Sequence, residues 1–449
     1  MAIASTTEWD VRTTGDDSNG GGFNTASTGT DYSQQDSAQV VYTDLVINGA
    51  TNKLSSAAQP FTADHVGNVI NITGGTGFTT GRYQVSSVAS GIATMDRAVG
   101  TLSSTGGSGK LGGAMATPDA VNVVMANQNV AWIKTGTYNV TTSFHFASQY
   151  AIIGYGSAHG DNGAPPTINM TANSTPIVVT WGGTLLTWLH NLILTTSAAT
   201  KSDAINGTGS LTVVSSCTIM GFVNGVNQGT QNVIVRDSYI TGCTACGVVG
   251  SGAVNIINSV IDGSGQENVR ISGTNAAGLT VSRSLIVHGA SSGIKCTAGA
   301  NVSIVQSTIA GNAGDGILVP TLSVPYTLYI ESTVIYGNGG YGVRNNDSAA
   351  KALVSVFSRA NALGANTSGN YLRAPSGLAE VALTADPFTN SAGGDYSLNS
   401  TAGGGASCKG AGYPGAFPGG LTTGTLDIGA VQSAGGGTVY VQSNYSFVG

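Results

Sequence analysis

Six copies of one pattern between Leu211 and Asn346 restrict what this chain can become. Each copy starts with a small polar residue, continues with a β-branched or aliphatic pair and a glycine, and ends in a second apolar step. The copies read CTIMG…GVNQ from Cys217, SYITG…CGVV from Ser238, SVIDG…NVRI from Ser259, SLIVHG…GIKC from Ser284, STIAG…GILV from Ser307 and STVIYG…GVRN from Ser332. Successive starts lie 21, 21, 25, 23 and 25 residues apart. A period of roughly 20 to 30 residues is the signature of a solenoid. No helix-period segment falls between the copies, and each holds short apolar runs bounded by polar turns. The repeating unit is therefore a coil of strands.

One such coil cannot bury its apolar face, but stacked coils bury it continuously while their backbones pair along the stack. Equivalent residues then lie on top of one another. Ile219, Ile240, Ile261, Ile286 and Ile309 form one expected column, and Val226, Val248, Val269, Ile294, Ile317 and Val343 another. Gly242, Gly263 and Gly311 fall where the chain has to corner. The expected fold class is all-β: a parallel β-helix preceded by a small N-terminal β domain. With strands about 4.8 Å apart, ten coils would make a rod roughly 50 Å long.

Composition removes several alternatives. Charged residues are 8 % of the chain, against about a quarter in ordinary globular domains, so Ser, Thr and Asn make the polar surface. The net charge is −6 and the 16 basic residues are scattered singly, which gives no footprint for nucleic acid. No run approaches the roughly 18 apolar residues of a membrane span. The start, MAIASTTEWDVRTTG, has neither the basic segment nor the apolar core of a secretory signal. Five cysteines make no disulfide framework. Cys217 takes the place of an anchor serine. Cys243 and Cys246 form a CxxC without a second ligand pair, which reads as a tight corner rather than a metal or redox site.

Four regions follow in order. Residues 1–40, with TGDDSNGGGF, read as an extended arm that needs something to pack on. Residues 41–112 carry VVYTDLVI, GNVINIT, GRYQVSSV and ATMDRAV, short alternating strands of a small β domain. Its closing run contains GGSGK, but Lys110 is followed by Leu111, so the phosphate-loop pattern fails. Residues 113–432 form the β-helix. TPDAVNVVMANQ, with Ala120, Val121, Val124 and Met125 at helical spacing, is expected to be a helix covering its open end. Residues 433–449 alternate Val439, Val441, Tyr445 and Phe447 with polar neighbours, a strand-like tail suited to pairing between subunits.

The helix followed by WIKTGTY, the coil IIGYGS, the S-x-I-x-G repeats and the ending ADPFT…GDYSLN…LDIGAVQ resemble the right-handed parallel β-helix proteins of the pectate-lyase-like superfamily. EWDVRTTGDDSNGGGF and VGNVINITGGTGFTTGRYQVSSV resemble segments that precede β-helices in phage structural proteins. The resemblance implies the fold over about 116–432 and leaves function open, because this fold carries lyases, hydrolases, adhesins and phage spikes.

Lyase and polygalacturonase signatures are absent, and His159 and His288 stand alone. Stacking suggests one polar row: Ser216, Asp237, Asn258, Arg283, Gln306 and Glu331. Asp262 and Glu267 flank the next corner with Arg270 close behind, a carboxylate pair beside a cation that could do acid–base work. The row also reads as a solvated face, and no catalytic, cofactor-binding or metal-binding residue and no cofactor is assigned. The first functional expectation is a homotrimeric phage virion protein, a tailspike-shaped capsid decoration (cement) protein made in the host cytoplasm. It would attach to capsid or tail proteins through residues 1–112. The alternative is a tailspike that binds host surface polysaccharide, with or without cleaving it. Neither nucleic acid nor a membrane is an expected partner.

Overall fold

The computed structural model describes residues 3–433 apart from 126–127, 147–149, 181–185, 209–210, 273–277, 298–300, 321–325, 347–353 and 414–425. The expected tail of residues 433–449 falls, beyond Ser433, outside the described residues. The chain forms two compact units, Met1–Ala199 and Thr200–Gly449.

The second unit is a coil stack with three parallel sheets. In the first sheet, strands Leu211–Ser215, Val233–Arg236, Val254–Ile257, Leu279–Ser282, Val302–Val305, Tyr326–Glu331 and Val354–Arg359 pair in chain order. The second sheet runs from Thr218–Met220 to Ala362–Gly364 and Val381–Ala382, and the third from Ile205–Gly207 to Gly369–Leu372. Both expected columns are present. Ile219, Ile240, Ile261, Ile286 and Ile309 are register partners in succession, each 0 % exposed. Val226, Val248, Val269, Ile294, Ile317 and Val343 do the same in the third sheet. Gly242, Gly263 and Gly311 take φ of 60°, 64° and 64°, a left-handed corner where a Cβ would be strained.

The anchor serines explain themselves once stacked. The Cys217 N–H donates to Ser238 Oγ at 3.1 Å, Ser238 N–H to Ser259 Oγ at 3.2 Å, and Ser259 N–H to Ser284 Oγ at 3.1 Å. The ladder continues through Ser307, Thr333 and Asn361. A second ladder lies inside the corner after the second sheet. Asn268 Nδ2 donates to Asn312 Oδ1 at 3.0 Å, Asn312 to Asn338 at 2.9 Å and Asn338 to Asn366 at 2.9 Å. These buried amides also bond backbone N–H and C=O groups that the corner leaves out of the sheets.

From Leu285 onward the outward side of the second sheet is not open to solvent. Leu285, Val287, Ala310, Val334 and Ala362 are buried beneath Leu383, Phe388, Tyr396, Cys408 and Ile428 from the C-terminal segment. Over these coils the first and third sheets therefore supply the free faces among the described residues.

In the first unit, strands Val40–Ile47, Lys53–Ser55, Val69–Gly74, Gly81–Ala89, Ile92–Met95 and Gly107–Leu111 close into a barrel. Its core includes Leu45, Ile47, Ile70, Ile72 and a stacked Tyr42–Phe61 pair with centroids 4.9 Å apart. Lys110 lies in the closing strand, not in a phosphate-binding loop, and its Nζ pairs with Asp16 at 2.7 Å.

Residues 1–40 are not an extended arm. Strand Thr7–Val11 joins the coils, parallel to Val130–Lys134. Trp9 is buried, and its Nε1–H donates to Asn129 at 3.1 Å. The barrel is thus inserted between the first and second coil strands. The expected helix over 117–128 is short, Pro118–Asn122, capped by Thr117 Oγ1 accepting from Ala120 N–H at 3.2 Å. It packs on the first coils through Pro118 and Val121, while Val123 is 84 % exposed. Tertiary contact, not helical amphipathicity, sets its length.

Candidate functional site: the cationic row on the third sheet

The polar row expected as an outer face is a corner. Ser216, Asp237, Asn258, Arg283 and Gln306 take φ of 52°, 50°, 47°, 49° and 49° between the first and second sheets. The position selects residues that tolerate this backbone, which Asn, Asp and Ser do best. Glu331 is not its sixth member. Thr308 pairs with Val334, so Thr333 is the anchor and Ser332, with φ of 50°, is the corner. Glu331 instead ends its strand, opposite Arg359, and accepts from the guanidinium and from the Tyr329 hydroxyl.

Asp262 and Glu267 do not act as a pair. Asp262 Oδ1 lies 2.8 Å from His288 Nδ1 and Oδ2 accepts from the Tyr239 hydroxyl at 3.0 Å. His288 Nε2 reaches the Tyr396 hydroxyl at 2.8 Å, tying the C-terminal segment to the second sheet. The Asp262 hydrogen bond holds the His288 pKa above its usual value despite partial burial. His159 is likewise engaged: Nε2 sits 2.6 Å from the buried carboxylate of Asp10, and its ring stacks on Trp132 with centroids 4.4 Å apart. Cys243 and Cys246 are buried, and burial pushes their thiols up to about 12 and about 11. Among the described residues no cluster of His, Cys, Asp and Glu suits a metal ion.

Glu267 and Arg270 do come together, with a third group that the sequence reading did not single out. Glu267 precedes the third-sheet strand Val269–Ile271, from which Arg270 points outward; Lys295 is its register partner on the next coil. Glu267 Oε1 accepts from Lys295 Nζ at 2.9 Å, and Oε2 accepts from Arg270 Nε at 3.0 Å and from Nη2. The Glu267 side chain is 4 % exposed, whereas each cation is 30 % exposed. Burial alone would raise the carboxyl pKa; the hydrogen bonds from Lys295 and Arg270 overcome that and lower it. The motif recurs further along the sheet. Leu318 follows Lys295 in register, then Arg344, whose Nη1 lies 3.6 Å from Asp315, 6 % exposed.

Arg270, Lys295 and Arg344 therefore stand in one column, each anchored by a carboxylate buried behind it. Glu267 is saturated with donors and its pKa is lowered, which makes it a weak base. Lys295 Nζ spends one of its three donors on Glu267, so others remain for a ligand. The arrangement suits binding of anionic oxygen better than proton transfer. A sequence signal existed: each cation sits one residue after the aliphatic column Val269, Ile294, Val343.

Residues 205–371 match the family described as right handed beta helix region. No curated protein matches the chain. Similar solved structures include pectate lyase Pel9A, at 12 % identity over 71 % of this chain and 91 % of that one, with a TM-score of 0.48. The A-module of Azotobacter vinelandii mannuronan C-5 epimerase AlgE4 shares 13 % identity over 56 % and 82 %, TM-score 0.37. The Dettilon tailspike protein gp208 shares 10 % over 58 % and 60 %, TM-score 0.37. Repeat, sheet register and family match agree that the chain is a right-handed parallel β-helix protein with a small barrel near its N-terminus.

Proposed function

We propose that this is a tailspike-like virion protein whose third-sheet face holds an acidic host-surface polysaccharide. One observation carries the reading: Arg270 and Lys295, on adjacent coils, converge on one buried carboxylate and keep donors toward solvent. Coils stacked about 4.8 Å apart place Arg270 and Lys295 on adjacent steps and Arg344 two steps further along an extended polymer. The saturated state of Glu267 favours capture over cleavage. The test is affinity electrophoresis in native gels containing polymannuronate or polygalacturonate. Retardation that weakens with salt and drops at least tenfold in Arg270→Ala/Lys295→Ala supports the reading. No retardation by either polymer, or an unchanged double variant, sinks it.

A second reading, capsid decoration as a homotrimer attached through residues 1–112, is favoured by the barrel. It buries a core of its own and lends no strand to the coil sheets, which leaves it free for a role besides coil building. Gold-labelling of virions separates head from tail location. Excising residues 40–111 while keeping Thr7–Val11 asks whether the barrel is the attachment point, and retained attachment rejects that role.

A further inference from the structure

The second unit carries four exposed large hydrophobic residues among those described: Met220 at 37 %, Phe357 at 58 %, Leu378 at 78 % and Tyr413 at 42 %. Three of them meet on one patch. Phe357 lies on the outward side of Val354–Arg359, directly opposite Tyr329, and Leu378 bridges to Arg359 from the other side. Tyr413 arrives from the C-terminal segment, fixed by its N–H donating to Ser332 Oγ at 2.8 Å. Leu328 and Ile330 are 0 % exposed, so alternation along the strand turns Tyr329 and Glu331 outward onto the same patch.

At the centre is a rigid ion pair. The Arg359 guanidinium lies 3.6 Å from the Tyr413 ring centroid and 5.5 Å from that of Tyr329. Its Nη2 donates to the Tyr329 hydroxyl at 2.6 Å, and both groups bond Glu331. A guanidinium stacked on the Tyr413 ring and bonded to the Tyr329 hydroxyl is fixed in plane, with donors left at its edge.

We infer that this patch is a second carbohydrate site, one that takes an uncharged pyranose ring. A pyranose has an apolar face of C–H groups and a rim of hydroxyls that both donate and accept. Phe357 and Tyr413 supply flat apolar surface for the former, and Arg359 and Glu331 supply donors and acceptors for the latter. Glu331 cancels the charge of Arg359, so an anionic ligand gains nothing here that it would not lose to the carboxylate. An apolar protein surface would cover the Arg359–Glu331 pair without satisfying it, which is costly. Sugar hydroxyls satisfy it. The site differs from the third-sheet row in face, in charge and in its use of aromatic rings.

The full chain is run in native gels containing galactomannan, dextran or soluble starch, at low and high salt. Retardation by one of these neutral polymers is expected, insensitive to salt and to Lys295→Ala, and at least tenfold weaker in Phe357→Ala and in Tyr413→Ala. Circular dichroism of each variant confirms the coil stack. Arg359→Lys keeps the charge but loses the planar fork, and is expected to weaken retardation several-fold. The inference is overturned if none of the three polymers retards the protein, or if retardation persists unchanged in the Phe357→Ala/Tyr413→Ala variant. A patch that instead covers itself with a second copy would show as a mass, in sedimentation, that falls in Phe357→Ala with no polymer binding, which also overturns it.

Discussion

Replacing Asn338 by alanine tests whether the buried amide ladder, rather than the aliphatic columns alone, holds the coils together. Asn338 is 0 % exposed. Its Nδ2 donates to Ile309 C=O at 3.2 Å and to Asn366 Oδ1 at 2.9 Å; its Oδ1 accepts from Asn312 N–H at 3.2 Å and Asn312 Nδ2 at 2.9 Å. Alanine deletes four bonds and deprives groups on the coils on both sides. Asn366 Oδ1 keeps the Asn338 backbone N–H at 3.1 Å, and Asn312 Nδ2 keeps the Ile286 and Ala310 carbonyls, so those two losses are cushioned. The Ile309 carbonyl keeps its place in the parallel ladder beside Val334–Tyr336, so the Asn312 N–H is the group left without a partner. At about 1–3 kcal/mol for an orphaned buried group, the change costs roughly 1–3 kcal/mol before any relaxation. The exposed Asn301→Ala is the control, expected within about 0.5 kcal/mol of wild type. Guanidinium unfolding followed by far-ultraviolet circular dichroism reads both. If Asn338→Ala unfolds at the same midpoint as Asn301→Ala, the ladder contributes nothing net and the reasoning fails.

His288 gives a pH dependence. Its folded pKa is raised by Asp262, so its contribution is complete below the unfolded value near 6.5 and is lost as pH rises through the folded value. The melting-temperature gap between wild type and His288→Gln should be widest at acidic pH and close on the alkaline side; a gap that widens with pH refutes this. Glu267 carries the opposite sign, because its pKa is lowered: its contribution holds above the usual carboxylate range and fades as pH falls through the folded value. Glu267→Gln leaves Arg270 and Lys295 without their anion, an expected loss of about 1–3 kcal/mol at neutral pH after allowing for the exposure of the cations, measured by chemical denaturation. Gly311→Ala forces a φ of 64° on a Cβ that would meet His288 Cδ2 at 3.1 Å. It should cost about 1–2 kcal/mol in the same assay.

The coil stack was legible because its period is written in residues that face inward, where volume and polarity are dictated at every turn. Ile219 to Ile309 could not be scattered and still stack. The row from Ser216 to Gln306 was equally visible, but its meaning was not: a left-handed backbone and a solvated face select overlapping residue types. The last copy is one residue out of step with the others: its first serine, Ser332, is the corner and Thr333 the anchor, so Glu331 falls one place short of the row. What escaped entirely depends on distant partners. Thr7–Val11 has no repeat beside it to mark it as a coil strand, and its partner strand begins at Val130. Tyr413 bonds Ser332, 81 residues back, and no local pattern links the two. The cations Lys295 and Arg344 were readable in principle, one step along from the aliphatic column.

The insertion of the barrel between the first two coil strands has a consequence for how the chain assembles. During synthesis Thr7–Val11 has only the short strand Gly22–Asn24 beside it until Val130–Lys134 has left the ribosome, and the Trp9 N–H waits for Asn129, 120 residues later. Closing a flexible loop of that length carries an entropic cost that grows with the logarithm of its length. Folding the barrel first sets Val40 beside Leu111 and takes about seventy residues out of that loop. The barrel then works as a clasp: a nascent chain that completes it delivers the leading strand to the winding stack, and one that misfolds there begins the stack with its end uncovered.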